Sequence, residues 1–177
     1  RGAITNSMLS KLTKAAPMYE VGLMMQVQWH AGLRISELLS LKCDCTSENH
    51  LLLQTDKRAK RSNTFGGAHW KPVSLTARKI IALAKKWALK KGNRSGQDLL
   101  FTMTPAKYRE EFKKAVVKAE LSGLDEGSLE IVPHGLRHGF VNATCLANIP
   151  EDVRAHLQMA AKTVKRYGHS NEERLAD

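Results

Sequence analysis

Four residues in this chain have side chains suited to chemistry on a phosphodiester: Arg34, His134, Arg137 and Tyr167. An arginine guanidinium presents its donors in a planar fork that fits two phosphate oxygens. Histidine can move a proton near neutral pH, and a tyrosine oxygen can attack phosphorus. The combination predicts cleavage of a phosphodiester through a covalent tyrosine intermediate.

Arg34 stands between two helical patterns. It follows Gly32, which ends an apolar segment, and it precedes a short pattern typical of a helix. Backbone N–H groups and the dipole at such a helix start also favour a bound phosphate. The alternative is a salt bridge from Arg34 to Glu37, three residues later, with no part in chemistry. Glu37 itself is interpreted as a structural residue that orients the basic groups nearby.

His134 and Arg137 are three residues apart, so at the start of a helix they face the same way. Arg137 is predicted to be the second arm of the phosphate clamp. His134 is predicted to act as a general acid or base. His138 is adjacent to Arg137 and is turned away by about 100° of helix. We therefore interpret His138 as a packing or hydrogen-bonding residue.

Tyr167 lies in a basic segment near the end of the chain. A phenol with a pKa near 10 is short of ionisation at pH 7 by about 4 kcal/mol. Neighbouring cations offset this cost because they stabilise the phenolate and the transition state. Tyr19 and Tyr108 are the competing tyrosines, but both stand in apolar helical patterns. The cations around Tyr167 are Lys162, Lys165 and Arg166.

These segments resemble the catalytic domain of the tyrosine recombinases, the phage-integrase family of DNA strand-exchange enzymes. The family has its first arginine in the motif G-L-R-x-S-E-L, which Gly32–Leu38 match closely. Its second arginine stands in H-x-L-R-H, which His134–His138 match. Its nucleophile follows some thirty residues later, where Tyr167 stands. The resemblance extends from about Thr5 to His169.

The resemblance implies an α+β domain that is mainly α-helical, with a small antiparallel β-sheet. It implies site-specific cleavage and rejoining of double-stranded DNA through a 3′-phosphotyrosyl link, without ATP, metal or other cofactor. Integration, excision, inversion and dimer resolution all use this chemistry. Such enzymes act as homotetramers on two duplexes, whereas an isolated catalytic domain is monomeric. The expected location is the cytoplasm, on the nucleoid, or the nucleus if the source is eukaryotic.

The resemblance also implies a lysine on a β-hairpin that protonates the leaving 5′ oxygen. Strand patterns at His50–Thr55 and Trp70–Leu75 flank a basic loop, which predicts an antiparallel hairpin with a long cationic tip. Lys57 is the first choice for this acid and Lys60 the second, whereas Lys71 on the return strand is disfavoured. Plain binding of the DNA backbone stays open for these lysines. Further DNA-binding residues are expected at Arg58, Arg61, Lys162, Lys165 and Arg166.

The chain departs from the family pattern upstream of the tyrosine. The family has L-G-H there, with its His, or a Trp, about nine residues before the tyrosine, and this chain has Gln158. Gln158 can donate a hydrogen bond to the phosphate but cannot transfer a proton. His156 would need a shift of two residues, about half a helical turn. This departure supports one rival function, a DNA-binding module of the same fold with impaired catalysis. A second rival, relaxation of DNA like a type IB topoisomerase, shares the phosphotyrosine chemistry.

The composition agrees with a DNA-binding protein. The chain of 177 residues has the size of one domain, and its 28 Lys and Arg against 17 Asp and Glu give a net charge of +11. Residues 1–177 are expected to form a single catalytic domain, cut from a protein with a preceding helical core-binding domain. No apolar run approaches the roughly 18 residues of a membrane helix. Cys43, Cys45 and Cys145 lack zinc-like partners and are expected to be reduced thiols.

The elements that must position these residues follow from caps and apolar spacing. An apolar pattern nearly all round predicts a buried helix over Tyr19–His30. In the later chain, Thr76 is expected to cap a helix that ends near Lys91 with Leu83 in its core stripe, and Thr104 another that ends near Leu121. The other predicted helices are residues 6–16, Ser36–Leu41, about Gly135–Leu146, Pro150–Gln158 and Ala160–Gly168.

Overall fold

The computed structural model describes residues 2–47, 49–54, 68–92, 96–121 and 130–150. Within these ranges the chain forms six α-helices and one antiparallel pair of strands. In chain order they are α1 (Asn6–Ala15), α2 (Tyr19–His30), α3 (Ile35–Leu39), β1 (His50–Gln54), β2 (Ala68–Pro72), α4 (Leu75–Lys90), α5 (Pro105–Lys118) and α6 (His134–Leu146). The two helices expected after residue 150 lie outside the described residues. None of the described helices is long and apolar enough to cross a membrane.

Side-chain caps determine where three of the helices begin. The hydroxyl oxygens of Thr5 and Thr104 accept from backbone N–H groups three residues later, which starts α1 and α5 as predicted. The prediction that Thr76 caps α4 is wrong. Ser74 is the cap, because its hydroxyl oxygen accepts from the N–H of Ala77 at 3.2 Å. Strand β2 therefore ends at Pro72, earlier than its pattern indicated.

Helix α2 is the centre of the fold. It packs against α1, α3, α4, α5 and α6. An apolar surface on every side of a helix requires partners on every side, so the all-round pattern was a reliable sign of burial. Its fully buried residues include Val21, Met24, Met25 and Val27. The end of this helix is consequently held rigidly, and the turn that carries Arg34 begins there.

Helix α4 corrects one prediction about the core. Leu83 was expected in its buried stripe, but 48% of this residue is exposed. At 3.6 residues per turn, Leu83 lies about 120° round the helix from Ala77, outside the face that α2 covers. The buried face consists of small and β-branched residues. They are Ala77, Ile80, Ile81, Ala84 and Ala88.

The strand pair has one buried face and one exposed face. Leu51 is directly opposite Lys71, and Leu52 is opposite Trp70. Residues directly opposite each other in an antiparallel pair point to the same face. Leu51 is buried and Trp70 is 52% exposed. The register therefore sends the side chain of Lys71 into the protein with that of Leu51.

Two glycines bring α6 against the start of the chain. The N–H of Ile4 donates to the carbonyl of Gly135 at 3.0 Å, and the indole N–H of Trp29 donates to the carbonyl of Ile4 at 2.9 Å. A Cβ atom added at Gly139 would lie 1.9 Å from the carbonyl oxygen of Ile4. This close approach fixes the first turns of α6, which carry His134 and Arg137.

The glycine contact predicts opposite effects for two helical substitutions. Gly139→Ala should lower the free energy of unfolding by about 2 kcal/mol, because the new methyl group overlaps the backbone of Ile4. Gly22→Ala should raise it by up to about 1 kcal/mol, because its Cβ would meet nothing closer than 3.6 Å and alanine favours the helix. Urea unfolding of both variants measures this, and equal effects would contradict the packing described.

Candidate phosphate-binding site

The turn between α2 and α3 is built around Gly32. This residue has φ +60°, a conformation that glycine adopts without strain. A Cβ atom added to Gly32 would lie 2.3 Å from Cδ1 of Phe140 on α6. Backbone conformation and packing thus both require glycine here. The N–H of Leu33 donates back to the carbonyl of Gln28 at 2.9 Å, which closes the turn immediately before Arg34.

Arg34 is the N-cap residue of α3, as its place between two helices predicted. Its backbone N–H donates to Oε2 of Glu37 at 2.8 Å, and its guanidinium Nη1 lies 2.6 Å from Oε1 of the same carboxylate. The salt bridge that the sequence offered as an alternative to chemistry is therefore present. It leaves 46% of the Arg34 side chain exposed, whereas the side chain of Glu37 is buried. The contact holds a guanidinium at the surface of the helix start.

Arg137 reaches the same carboxylate from α6. Its Nη1 donates to the carbonyl of Gly32 and lies 3.3 Å from Oε2 of Glu37, a residue 100 positions away in the chain. The Arg137 side chain is only 2% exposed. The structure thus brings Arg34 and Arg137 together on the two oxygens of Glu37.

Glu37 is charged at neutral pH. Burial acts to raise its pKa, but the hydrogen bond from the Arg34 backbone and the positive charges of Arg137 and Arg34 lower it overall. The prediction that Glu37 orients the basic groups around it agrees with these contacts. A carboxylate between two guanidinium groups fixes both of them while leaving the cluster positive.

Lys71 also belongs to this cluster, although the sequence interpretation disfavoured it as the general acid and gave it no other role. It is buried, and its ammonium nitrogen donates to the carbonyls of Ala31 and Gly32. The nitrogen also lies 5.4 Å from the centre of the Phe140 ring. Burial and the nearby charge of Arg137 lower the pKa of Lys71 to about 7. The burial of this lysine follows from the strand register, which places it opposite the apolar Leu51.

His134 and His138 lie on the first turns of α6. Their rings meet edge to face with centroids 4.5 Å apart, and both residues are partly exposed. His138 packs against a neighbouring ring, as its interpretation as a packing residue expected. His134 precedes Arg137 by three residues, so both residues lie on the first turn of α6.

Two buried side chains, Tyr108 and Gln28, connect α5 to this turn through hydrogen bonds. The hydroxyl of Tyr108 donates to Oε1 of Gln28 at 2.8 Å, and Nε2 of Gln28 donates to the carbonyl of Leu33 at 3.3 Å. Both side chains are fully buried. Burial also raises the pKa of Tyr108, which makes this tyrosine unsuited to act as a nucleophile. Tyr19, the other competitor, lies exposed at the start of α2.

The remaining predicted site residues lie outside the described residues, and their roles stay predictions. They are Lys57, Arg58, Lys60 and Arg61 of the hairpin tip, and His156, Gln158, Lys162, Lys165, Arg166 and Tyr167 of the last segment. Among the described residues, no group of His, Cys, Asp and Glu could hold a metal ion. Cys43, Cys45 and Cys145 form no disulfide with one another.

The Glu37 contacts predict a large loss of stability when its charge is removed. Glu37→Gln keeps the shape of the side chain but removes the negative charge that lies 3.3 Å from the buried guanidinium of Arg137, so the free energy of unfolding should fall by about 3 kcal/mol. The control is Glu110→Gln. Like Glu37, Glu110 pairs with two cations, here Lys107 at 3.2 Å and Lys114 at 2.7 Å, but its side chain is 53% exposed. Glu110→Gln should therefore change the free energy of unfolding by no more than about 0.5 kcal/mol. Similar losses in chemical denaturation would contradict the account of Glu37.

The lowered pKa of Lys71 predicts that the free energy of unfolding depends on pH. The unfolded chain keeps the proton on this amine up to about its ordinary pKa of 10.5, whereas the folded protein releases it near 7. The unfolded state therefore binds more protons between these values, and the free energy of unfolding rises with pH there, by at most about 1.4 kcal/mol per unit. Urea unfolding between about pH 7 and about pH 8.5 should show this rise in the wild type and in Lys79→Met, an exposed control. Lys71→Met should lose it, and an unchanged slope would contradict the buried amine.

The fold is similar to solved structures of recombinases and integrases. XerH site-specific recombinase, in a post-cleavage complex with its palindromic difH substrate, matches with a TM-score of 0.72 and 21% identity over 98% of this chain and 51% of that chain. A lambda integrase dimer bound to a COC′ core site matches with a TM-score of 0.68 and 16% identity over 95% and 48%. The catalytic domain of bacteriophage HP1 integrase matches with a TM-score of 0.66 and 18% identity over 95% and 87%.

These matches confirm the predicted fold, a mainly helical domain with a small antiparallel sheet. The chain spans about half the length of the XerH and lambda integrase chains, and most of the HP1 catalytic domain. In the comparison with curated proteins, no sequence matches this chain. The model of the phage integrase family matches residues 4–174, nearly the whole sequence. The chain therefore belongs to the phage integrase family.

Proposed function

We propose that this chain is the catalytic part of a site-specific tyrosine recombinase, which cleaves and rejoins double-stranded DNA through a 3′-phosphotyrosyl intermediate. Membership of the phage integrase family supports the class of reaction. The observation that carries the proposal is the meeting of Arg34 and Arg137 on Glu37. Two guanidinium groups from distant parts of the chain are thereby held at one place, as a phosphate clamp requires.

The charges of this cluster favour an anion. Arg34, Arg137 and Lys71 surround the Glu37 carboxylate, so the two permanently charged guanidinium groups already outweigh it. A phosphodiester that approaches the exposed side of Arg34 would compensate this excess. The net charge of +11 acts in the same direction over a longer range and gives DNA binding a strong dependence on salt.

In the proposed cleavage step, the phenol oxygen of Tyr167 attacks the scissile phosphorus. A bond forms from this oxygen to phosphorus as the bond from phosphorus to the 5′ oxygen breaks. Arg34 and Arg137 stabilise the charge that develops on the non-bridging oxygens. His134, at the start of α6, serves as the acid or base for proton transfer. Rejoining is the same reaction in reverse, with a 5′ hydroxyl as the nucleophile.

The leaving 5′ oxygen requires a proton. Lys57 of the hairpin tip is proposed as its donor, with Lys60 as the alternative. Gln158 takes the position where the family has a histidine and would donate a hydrogen bond to the phosphate, or His156 would approach after a shift of the local helix. Arg58, Arg61, Lys162, Lys165 and Arg166 are proposed to bind the DNA backbone, since cations without base contacts position DNA regardless of sequence.

The partner we propose is double-stranded DNA. XerH was solved with its difH substrate and lambda integrase with a core site, and both share the fold of this chain. Assembly of four copies on two duplexes is proposed for the recombining complex, with the chain monomeric in the absence of DNA. The proposed place of action is wherever the DNA lies, on a nucleoid or in a nucleus.

A covalent adduct tests the proposal. The chain is incubated with a pool of duplex oligonucleotides that carry a nick and randomised sequence, so that cleavage releases a short fragment and traps the enzyme on DNA. Wild type should give a protein–DNA band that is stable to denaturant. Tyr167→Phe should abolish the band because it removes the attacking oxygen, while Tyr19→Phe, at an exposed tyrosine of α2, should retain it. Binding of unnicked DNA should be nearly equal in all three proteins.

Each other outcome selects a different function. DNA binding without any adduct in the wild type would indicate a binding module whose catalysis is lost. A band that persists in Tyr167→Phe would assign the nucleophile to another residue. Relaxation of supercoiled plasmid by single copies, with no joining between two duplexes, would favour a function like that of a type IB topoisomerase.

A further inference from the structure

We propose that Lys71 is a positioning residue for the cleavage reaction: it holds the carbonyls of Ala31 and Gly32 and thereby sets the direction in which Arg34 meets the phosphate. This inference rests on the proposed function and adds a residue to it. Lys71 belongs to β2, the return strand of the hairpin, and it stands outside both arginine motifs.

The hydrogen bonds of Lys71 run to the backbone of the turn. Its amine donates to the carbonyl of Ala31 and, at 3.3 Å, to that of Gly32. The strand register directs this side chain inward, opposite Leu51, and only 5% of the residue is exposed. Burying a lysine costs desolvation free energy, and here the buried amine donates to two backbone carbonyls. Lys71 therefore differs from a surface lysine that binds DNA.

The turn needs this support because its carbonyls point inward. The carbonyl of Gly32 also accepts from Arg137, and that of Leu33 accepts from Gln28. Three successive carbonyls are thus bonded by side chains from β2, α6 and α2. Arg34 follows directly, so its backbone direction depends on how these carbonyls are held.

Lys71 also links the two arginines. Lys71 and Arg137 donate to the same oxygen, that of Gly32, so a shift of the turn alters the position of Arg137 as well as that of Arg34. Misplacement of a reacting group by about 1 Å can cost roughly 100-fold in rate. Loss of the amine should therefore reduce the rate of cleavage more than the affinity for DNA, which depends on many surface cations.

The geometry also separates Lys71 from the general acid. Its amine faces backbone carbonyls inside the protein and packs on the Phe140 ring, so it does not present a proton at the DNA surface. The general acid that protonates the 5′ oxygen is therefore proposed to be a lysine of the hairpin tip. A substrate with sulfur in place of the bridging 5′ oxygen distinguishes these roles, because a thiolate leaves without needing a proton.

The experiment measures single-turnover cleavage at saturating DNA, with the duplex that wild type cleaves best in the randomised pool. Lys71→Met is compared with the wild type, with Lys57→Met and with Lys79→Met, which removes an exposed lysine of α4. Each protein is given the normal substrate and the same duplex with the bridging sulfur. Fluorescence titration gives the Kd for DNA, and circular dichroism checks that each variant is folded.

We expect Lys71→Met to cleave the normal substrate about 10- to 100-fold more slowly, with Kd changed less than about threefold. The sulfur substrate should leave this defect in place. It should restore Lys57→Met towards the wild-type rate, and Lys79→Met should match the wild type throughout. Lys71→Gln can still donate to a carbonyl and should retain more activity than Lys71→Met. If Lys71→Met does not fold, Lys71→Ala replaces it, because alanine also removes the donor.

Two results would overturn the inference while leaving the proposed function intact. If Lys71→Met, or Lys71→Ala in its place, cleaves at the wild-type rate, the lysine only stabilises the fold. If the sulfur substrate restores the variant, Lys71 is the general acid. A wild-type chain that forms no adduct with any duplex would instead reject the proposed function, and the positioning role with it.

Discussion

The site depends on the backbone turn between α2 and α3, whose carbonyls are bonded by buried side chains. Lys71 holds the carbonyls of Ala31 and Gly32, and Arg137 shares the latter. The turn itself exists because Gly32 adopts φ +60° beneath the ring of Phe140. Arg34 is presented at the surface because everything immediately before it is fixed. A buried carboxylate then binds both arginines and completes the arrangement.

The burial of charged groups in this cluster has a cost in free energy. Burial disfavours the charged form of Lys71, and the nearby Glu37 carboxylate offsets only part of that cost. In the contacts of Glu37, two guanidinium groups face one carboxylate, which leaves an excess of positive charge. In the proposed function a phosphodiester at Arg34 would balance that excess, so the same feature would strengthen binding of the reacting group.

The parts of the fold and the site that depend on neighbouring residues in the sequence could be predicted. The residues around Gly32 and Arg34 predicted a turn followed by a short helix, and the apolar surface of α2 on all sides predicted that it is buried. Lys71 was considered only as a general acid and disfavoured. Its buried place in the turn was not predicted, because its burial follows from pairing with Leu51 and strand register depends on tertiary packing. Likewise Leu83 fits a helical stripe by composition, but which face is covered depends on where α2 lies.

The most direct test of the account is a crystal structure of the chain bound to a DNA duplex that contains its cleavage site, with Tyr167 replaced by phenylalanine to hold the substrate intact. We expect guanidinium nitrogens of Arg34 and Arg137 both to lie within hydrogen-bonding distance of the same scissile phosphate. We also expect Lys71 still to donate to the carbonyls of Ala31 and Gly32. A scissile phosphate bound away from this pair of arginines would contradict the central claim.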